Sequence, residues 1–215
     1  MKTLIFSDTH LDHNFDQKRF DLLKDLIEQV DRVIINGDFW DVYLTSWEQF
    51  LNSEWNKLFP LLKQKESIYI FGNHDKAEWM DDRMSLFSNI QTSSTEINIE
   101  NKKLIIQHGN EIYPSIEEKY PRLFSNKILI SLYGIYDFLS GNVSWWFTTG
   151  HFENRKLKQW VKRNFPQDHV LVCGHTHLFE DNQQSRFINT GLIRFGYLQY
   201  AIVTDDQIEV FDRRY

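Results

Sequence analysis

Short apolar runs alternate with longer amphipathic segments along the first third of the chain. Residues 4–6, 33–35 and 68–71 are uninterrupted apolar runs that are too short for helices, which predicts buried strands. Between them, apolar residues recur every three or four positions over 22–30 and 47–62, which predicts two amphipathic helices. Strands that alternate with helices favour an α/β fold with a largely parallel sheet.

The rest of the chain is richer in strand patterns. Apolar and polar residues alternate over 95–99, a polar turn follows at 100–103, and 104–106 is apolar, so we expect a hairpin. Further strand-like segments lie at 170–172, 186–188, 198–203 and 208–211. The simplest arrangement is a second sheet that packs on the first, with helices outside.

An aromatic segment at about 113–166 interrupts this pattern, and we expect it to be a mostly helical, lid-like insertion in a single domain of residues 1–215. Its aromatic residues include Tyr133, Tyr136, Phe138, Trp145, Trp146, Phe147 and Phe152. On its last helix, Arg155, Lys158 and Lys162 share one face. That face would suit an anionic headgroup or a membrane surface, although a solvated helix face and ordinary aromatic packing are the alternatives.

Composition narrows the choice of function. The chain has 215 residues, of which 41% are hydrophobic and 25% charged, the usual balance of a globular domain. Its net charge of −6 weighs against nucleic acid as a partner, because binding to a phosphate backbone needs concentrated Lys and Arg. The charge leaves small phosphorylated substrates open.

The chain shows features of a cytoplasmic protein. Cys173 is the only cysteine, so an intramolecular disulfide is impossible, and we expect a buried, inert thiol there. Met1 and Lys2 run straight into the first predicted strand, so no cleaved leader is expected. The apolar stretch 128–147 is interrupted by Asp137 and by glycines, which argues against a membrane span. Peripheral contact with the inner face of a membrane stays open.

Polar sequence words follow the apolar runs at five places. The words are Asp8-Thr9-His10, Gly37-Asp38, Gly72-Asn73-His74-Asp75, His108-Gly109 and Gly174-His175-Thr176-His177. Carboxylate and amide oxygens and imidazole nitrogens are ligands of Mn²⁺, Fe²⁺ and Zn²⁺. Because ligands bind at the carboxyl ends of parallel strands, these words predict one metal site built from several loops.

The ligand types favour two metal ions with a shared carboxylate, since two neighbouring cations need negative charge between them. Asp38 is the candidate bridge. Asp8, His10 and His177 would complete the ligands of one ion, and Asn73, His108 and His175 those of the other. Oxygen and nitrogen ligands of this kind suit Mn²⁺ best, with Fe²⁺ and Zn²⁺ as alternatives.

The five words in this order resemble the signature of the calcineurin-like metallophosphoesterases. The resemblance spans Asp8 to His177 and implies a four-layer α/β/β/α sandwich, the ligand set above, and hydrolysis of a phosphoester or pyrophosphate bond. It also implies that His74 is a catalytic histidine that binds no metal. We expect Asp75 to orient His74, and Asp41 to orient one of the ligands.

A narrower resemblance is to the bacterial UDP-2,3-diacylglucosamine pyrophosphatases. The short chain and the aromatic insertion between the last two words carry it, and it implies a lipid-linked nucleotide-diphosphate substrate. Many of those enzymes have Arg after the asparagine of the third word, where this chain has His74, so the substrate stays open. The alternative function is a non-catalytic metal-binding scaffold or protein-interaction module with the same fold.

Overall fold

The computed structural model describes residues 1–120 and 145–215, and two mixed sheets form its centre. The first sheet has the strand order β11-β10-β1-β2-β3-β4, and the second has the order β5-β6-β7-β9-β8. The strands are β1 (Thr3–Phe6), β2 (Arg32–Asn36), β3 (Ile68–Ile70), β4 (Ile90–Thr92), β5 (Ser94–Ile99), β6 (Lys102–Gln107), β7 (His169–Cys173), β8 (Glu180–Asn182), β9 (Phe187–Asn189), β10 (Tyr197–Val203) and β11 (Ile208–Arg214). Strands β1 to β4 are parallel neighbours, as are β6, β7 and β9.

The helices flank these sheets. The α-helices are α1 (Gln17–Glu28), α2 (Trp47–Leu51), α3 (Phe59–Gln64), α4 (Ile116–Lys119) and α5 (Trp145–Asn164), and short 3₁₀ helices cover Glu54–Leu58, Ala77–Trp79, Asp82–Leu86 and Gln183–Ser185. The prediction of one helix over 47–62 was wrong. That stretch is divided between α2, a 3₁₀ helix and α3, because Ser53 is extended and its hydroxyl bonds to the Phe50 carbonyl. Pro60, in the first turn of α3, has no N–H to continue a helix.

Alternate residues of the central strands face different layers. On β1, Leu4 and Phe6 join the core beneath α1 and α3, whereas Ile5 faces the second sheet. The core between the sheets is completed from the other side by residues such as Leu104 and Val172. This alternation follows from the two-residue period of a strand and builds the two inner layers.

Helix α5 supplies the fourth layer. Its buried residues Leu157 and Val161 pack on Leu171, Cys173 and Phe187 of the second sheet. The Cys173 thiol is buried as expected, and burial raises its pKa well above the usual value. The predicted α/β/β/α sandwich is confirmed. Residues 121–144, the middle of the predicted insertion, lie outside the described residues, so its lid role stays a prediction.

Neither in residues 1–120 nor in 145–215 does a helix combine the length and the apolar character that crossing a bilayer requires.

Candidate metal centre and active site

Loops at the carboxyl ends of five strands meet at one edge of the sandwich. The loops after β1, β2 and β3 come from the first sheet, and those after β6 and β7 from the second. The side chains they bring together are the seven predicted ligands and the predicted catalytic histidine: Asp8, His10, Asp38, Asn73, His74, His108, His175 and His177. Residues far apart in sequence therefore converge as the strand-end argument predicted.

Asp8, His10, Asp38 and His177 form a first group, with one potential ligand atom from each within 4.8 Å of all the others. His177 Nε2 lies 3.3 Å from Asp8 Oδ1, and His10 Nε2 lies 3.8 Å from Asp38 Oδ2. The Nε2 atoms of His10 and His177 are only 3.0 Å apart. Two imidazole nitrogens and two carboxylates that converge in this way fit the preferences of a divalent cation.

Asp38, Asn73, His108 and His175 form a second group beside the first. His108 Nε2 lies 3.2 Å from both Asp38 Oδ2 and Asn73 Oδ1, and His175 Nδ1 lies 2.9 Å from the same Asn73 oxygen. Asp38 Oδ2 thus faces His10 of one group and His108 of the other. Its second oxygen, Oδ1, accepts the backbone N–H of His74 at 2.9 Å, which fixes the carboxylate between the groups.

Hydrogen bonds on the outer side of three rings select which nitrogen faces the site. His108 Nδ1 donates to the Asn36 carbonyl at 2.8 Å, and His175 Nε2 donates to the Tyr113 carbonyl at 2.8 Å. His10 Nδ1 donates to Asp41 at 2.9 Å. Histidines that bind metal usually donate their other N–H in this way, so the residues present fit a metal centre.

Charges within the site act on the pKa values of its members. Burial alone would raise the pKa of Asp38, but the charges of His108 and His74 hold it well below its usual range. Burial lowers and the Asp38 charge raises the pKa of His108, with a net result of about 10. Burial and the charge of His108 lower the pKa of His175 to about 4. Asp38 is therefore anionic, and it pairs with His108.

The backbone is strained at most of the predicted ligands. Positive φ angles occur at Asp8 (53°), His10 (42°), Asp38 (53°), His175 (70°) and His177 (56°). Such conformations cost free energy in residues with a Cβ atom, and they persist where surrounding bonds enforce them, often at active sites. Here the Asp8 carboxylate accepts the N–H of His175 at 3.1 Å, and the His10 N–H bonds to the Asp38 carbonyl at 2.9 Å.

Glycines allow the strained loops to approach each other. A Cβ atom at Gly174 would lie 2.2 Å from Asp8 Oδ2, and one at Gly72 would lie 2.1 Å from Asp38 Oδ1. We expect Gly174→Ala to displace Asp8 and to weaken Mn²⁺ binding at least about tenfold, a loss typical of disturbed ligand support. Isothermal titration with Mn²⁺ measures this. Gly196→Ala is the control, because a Cβ there has room, although its φ of +81° adds a backbone strain that Gly174 does not have. Equal losses in both variants would contradict the explanation.

His74 is positioned by Asp41 and not by Asp75. Burial would raise the pKa of Asp41, but the charge of His74 and bonds from His10 and His74 keep it low, so its carboxylate accepts Nδ1–H from both rings at 2.9 Å. Asp41 bonds to His10 as expected, and the metal-binding role of His10 stays a prediction. The expectation for Asp75 was wrong, because its carboxylate accepts bonds from the Tyr69 hydroxyl and from backbone N–H groups of Phe39 and Gly72. Asp75 thereby ties the second and third loops together.

Sequence reasoning missed the groups that hold the fifth loop. Asn154 on α5 and Asn189 on β9 are fully buried and hydrogen-bond to residues 174–178. The only sequence signal was the four-residue spacing of Gly150 and Asn154, which places a small and a polar residue on one face of a helix. Nothing in the sequence identified what that face contacts.

Comparison with known proteins agrees with this geometry. A model of the calcineurin-like phosphoesterase family matches residues 1–179, and the chain belongs to that family. The chain is therefore a metal-dependent phosphoester hydrolase. It is 27% identical over 240 residues to UDP-2,3-diacylglucosamine hydrolase of Psychromonas ingrahamii, an alignment that covers 99% of this chain and 98% of that protein.

Similar solved structures include two phosphoesterases. Yfce, a phosphoesterase from E. coli, superposes with a TM-score of 0.52 at 20% identity, over 97% of this chain and 91% of that one. An archaeal phosphodiesterase gives a TM-score of 0.48 at 19% identity, over 99% of both chains. The first of these likenesses supports the two-sheet sandwich.

Proposed function

We propose that this protein hydrolyses a phosphoester or pyrophosphate bond with two divalent ions, of which Mn²⁺ is the favoured metal. The observation that carries the proposal is the position of Asp38 Oδ2, which faces His10 of the first group and His108 of the second. Asp8, His10, Asp38 and His177 would hold one ion, and Asp38, Asn73, His108 and His175 the other. The oxygen and nitrogen donors in both groups suit Mn²⁺, Fe²⁺ or Zn²⁺.

In this mechanism, paired cations supply Lewis-acid activation of the phosphate and of the attacking water. The chain supplies orientation and proton transfer. With Nδ1–H donated to the Asp41 carboxylate, the His74 ring presents Nε2 as the atom that gives a proton to the leaving oxygen. Asp38 accepts the backbone N–H of His74. The general acid His74 is therefore linked through its backbone to the carboxylate that the two ions would share.

We propose a lipid-linked nucleotide diphosphate, such as UDP-2,3-diacylglucosamine, as the substrate. The support is the likeness to the hydrolase of Psychromonas ingrahamii over nearly the whole of both chains. Simpler phosphodiesters and phosphomonoesters are the alternative, because His74 stands where many enzymes acting on that lipid have Arg. If the substrate is the lipid-linked nucleotide, residues 113–166 would form the lid over its acyl chains, within a single domain of 1–215.

A substrate screen with Mn²⁺ tests the proposal. Purified protein is incubated with p-nitrophenyl phosphate, bis-p-nitrophenyl phosphate and UDP-2,3-diacylglucosamine, with EDTA-treated protein as the control. We expect turnover of the lipid, with the pyrophosphate bond cleaved, and none after chelation. Turnover of the model phosphodiester alone would contradict the lipid substrate but support the phosphoesterase. No turnover of any substrate would favour the non-catalytic scaffold.

We also propose that the protein is cytoplasmic and that α5 brings it to an anionic membrane surface. Arg155, Lys156, Lys162 and Arg163 are exposed on α5, and Phe152 among them is 45% exposed. Lys158, which the sequence placed on the same basic face, is instead paired with Glu180. The remaining cations and an exposed aromatic ring fit a surface of anionic headgroups.

We expect the charge-reversal variant Arg155→Glu/Lys156→Glu to lose binding to vesicles that contain phosphatidylglycerol. A basic residue near an anionic surface contributes about 1 kcal/mol, so two reversals lower the partition coefficient by at least about 30-fold, at 1.4 kcal/mol per factor of ten. Vesicle co-sedimentation measures it. Lys18→Glu/Lys102→Glu makes the same change in net charge at exposed residues outside α5 and serves as the control. An equal loss of vesicle binding in the two double variants would show that α5 is not the membrane-contacting element.

A further inference from the structure

The loop that contains His175 and His177 is attached to α5 by one buried side chain. Asn154 Oδ1 accepts the Thr176 hydroxyl at 2.7 Å, and its Nδ2 donates to the Leu178 carbonyl at 3.0 Å. Thr176 stands between the two histidines, and Leu178 follows the second. A residue of the helical layer therefore bonds to the loop on both sides of His177.

The Asn154 amide has its full complement of partners. Its oxygen also accepts from Asn189 Nδ2 at 3.2 Å, and its nitrogen also donates to Glu180 at 3.1 Å. Two donors and two acceptor sites are thus all used, in a residue with no exposed surface. Buried polar networks that are fully satisfied favour one arrangement of their members over others.

Helix α5 contacts this loop and the start of β8 on three successive turns. At Gly150, an added Cβ atom would lie 2.7 Å from Leu178 Cβ and 3.1 Å from the Thr176 carbonyl oxygen, so helix and loop are in close contact. Four residues on, Asn154 makes its hydrogen bonds. Another four residues on, Lys158 forms an ion pair with Glu180. This spacing places all three residues on one face of the helix.

We infer that Asn154 is a positioning residue that sets the separation of His175 and His177 and so couples α5 to metal binding. The inference rests on the proposed function, in which each histidine serves a different ion. Both histidines have positive φ, so the loop depends on bonds from outside it to keep this conformation. The Thr176 hydroxyl is the group through which Asn154 acts.

The consequence is a connection between the insertion and the chemistry. Helix α5 forms the last part of the segment between the fourth and fifth sequence words, while its Asn154 holds the fifth word. A substrate that contacts α5 and shifts it would therefore move the fifth loop, and with it the geometry at both ions. The insertion would act on the metal centre as well as on substrate binding.

The test is a Mn²⁺ titration of Asn154→Leu, followed by electron paramagnetic resonance of free Mn²⁺. Loss of a group that supports metal ligands typically lowers affinity 10- to 100-fold, and we expect a loss in this range at both sites. Asn164→Leu, on the exposed end of the same helix, is the matched control and should bind as the wild type does. Wild-type affinity in folded Asn154→Leu would overturn the inference.

A second pair of variants keeps the test valid if Asn154→Leu fails to fold. Thr176→Ser retains the hydroxyl that bonds to Asn154, and Thr176→Val removes it at nearly constant volume. We expect Thr176→Ser to bind Mn²⁺ as the wild type does and Thr176→Val to lose affinity about as much as Asn154→Leu. Equal affinity in both would overturn the inference, whereas a wild-type protein that binds no Mn²⁺ would overturn the proposed function instead.

Discussion

Replacing Asp38 by Asn is expected to release both metal ions and to abolish phosphoester hydrolysis. The substitution keeps the size of the side chain but removes the negative charge shared by the two groups. Two unit charges 4 Å apart interact by about 4 kcal/mol at an effective dielectric constant near 20, which corresponds to about 10³-fold in affinity. A divalent ion in direct contact with the carboxylate loses more than this.

Metal content by inductively coupled plasma mass spectrometry, measured after gel filtration, provides the readout for Asp38→Asn. The control is Asp25→Asn, an exposed residue of α1 that makes the same change in charge. We expect close to two ions per chain in the control and none in Asp38→Asn. Retention of both ions by Asp38→Asn would contradict the proposal that the two ions share the Asp38 carboxylate.

Replacing His74 by Ala is expected to leave metal binding intact and to lower kcat by about 10²- to 10⁴-fold, the usual contribution of a general acid. The ring meets that of His10 edge to face, with centroids 4.7 Å apart, and it bonds to Asp41 at 2.9 Å. Its backbone N–H, which holds Asp38, is kept in the variant. The expected result is thus a change in kcat with little change in metal content or KM.

Substrates with different leaving groups distinguish a His74 that acts as the general acid from a His74 that only supports its neighbours. A substrate whose leaving group is a strong acid needs little protonation, so the defect of His74→Ala should shrink for p-nitrophenyl esters and stay large for alkyl esters. Asp41→Asn, which alters the partner of His74 and of His10 together, should lower both metal affinity and kcat. An unchanged kcat in His74→Ala on alkyl esters would exclude His74 as the acid.

The sequence predicted the sandwich and the location of the site because both depend on local patterns. Apolar runs such as residues 33–35 identify a strand whichever neighbours it has, and a polar word at its end must lie at the edge of the sheet. Parallel neighbours β1, β2 and β3 then bring their words together. That Asp8, Asp38 and Asn73 would be close follows from topology alone.

Details that depend on contacts between distant residues could not be predicted. The partner of His74 is Asp41 and not its neighbour Asp75, because the turn after β3 directs Asp75 toward Gly72 and Phe39. Helix 47–62 is interrupted by a side-chain bond at Ser53 that periodicity does not reveal. The role of Asn154 depends on how α5 packs against a loop 20 and more residues further along the chain.

The charged residues of α5 are another case in which the sequence did not predict a contact between distant residues. Helical spacing placed Arg155, Lys158 and Lys162 on one face, and the spacing itself is right. Lys158 nevertheless faces Glu180 of β8, since the second sheet lies along that side of the helix. A sequence gives the faces of a helix, but the fold determines which face meets solvent.

The most direct test of the account is anomalous diffraction at the manganese edge from crystals grown with excess Mn²⁺. We expect two peaks about 3.5–4 Å apart, one among Asp8, His10, Asp38 and His177 and the other among Asp38, Asn73, His108 and His175. Asp38 should lie between the peaks, with its Oδ2 toward both of them. A map without peaks there, or with metal held only by other side chains, would contradict it.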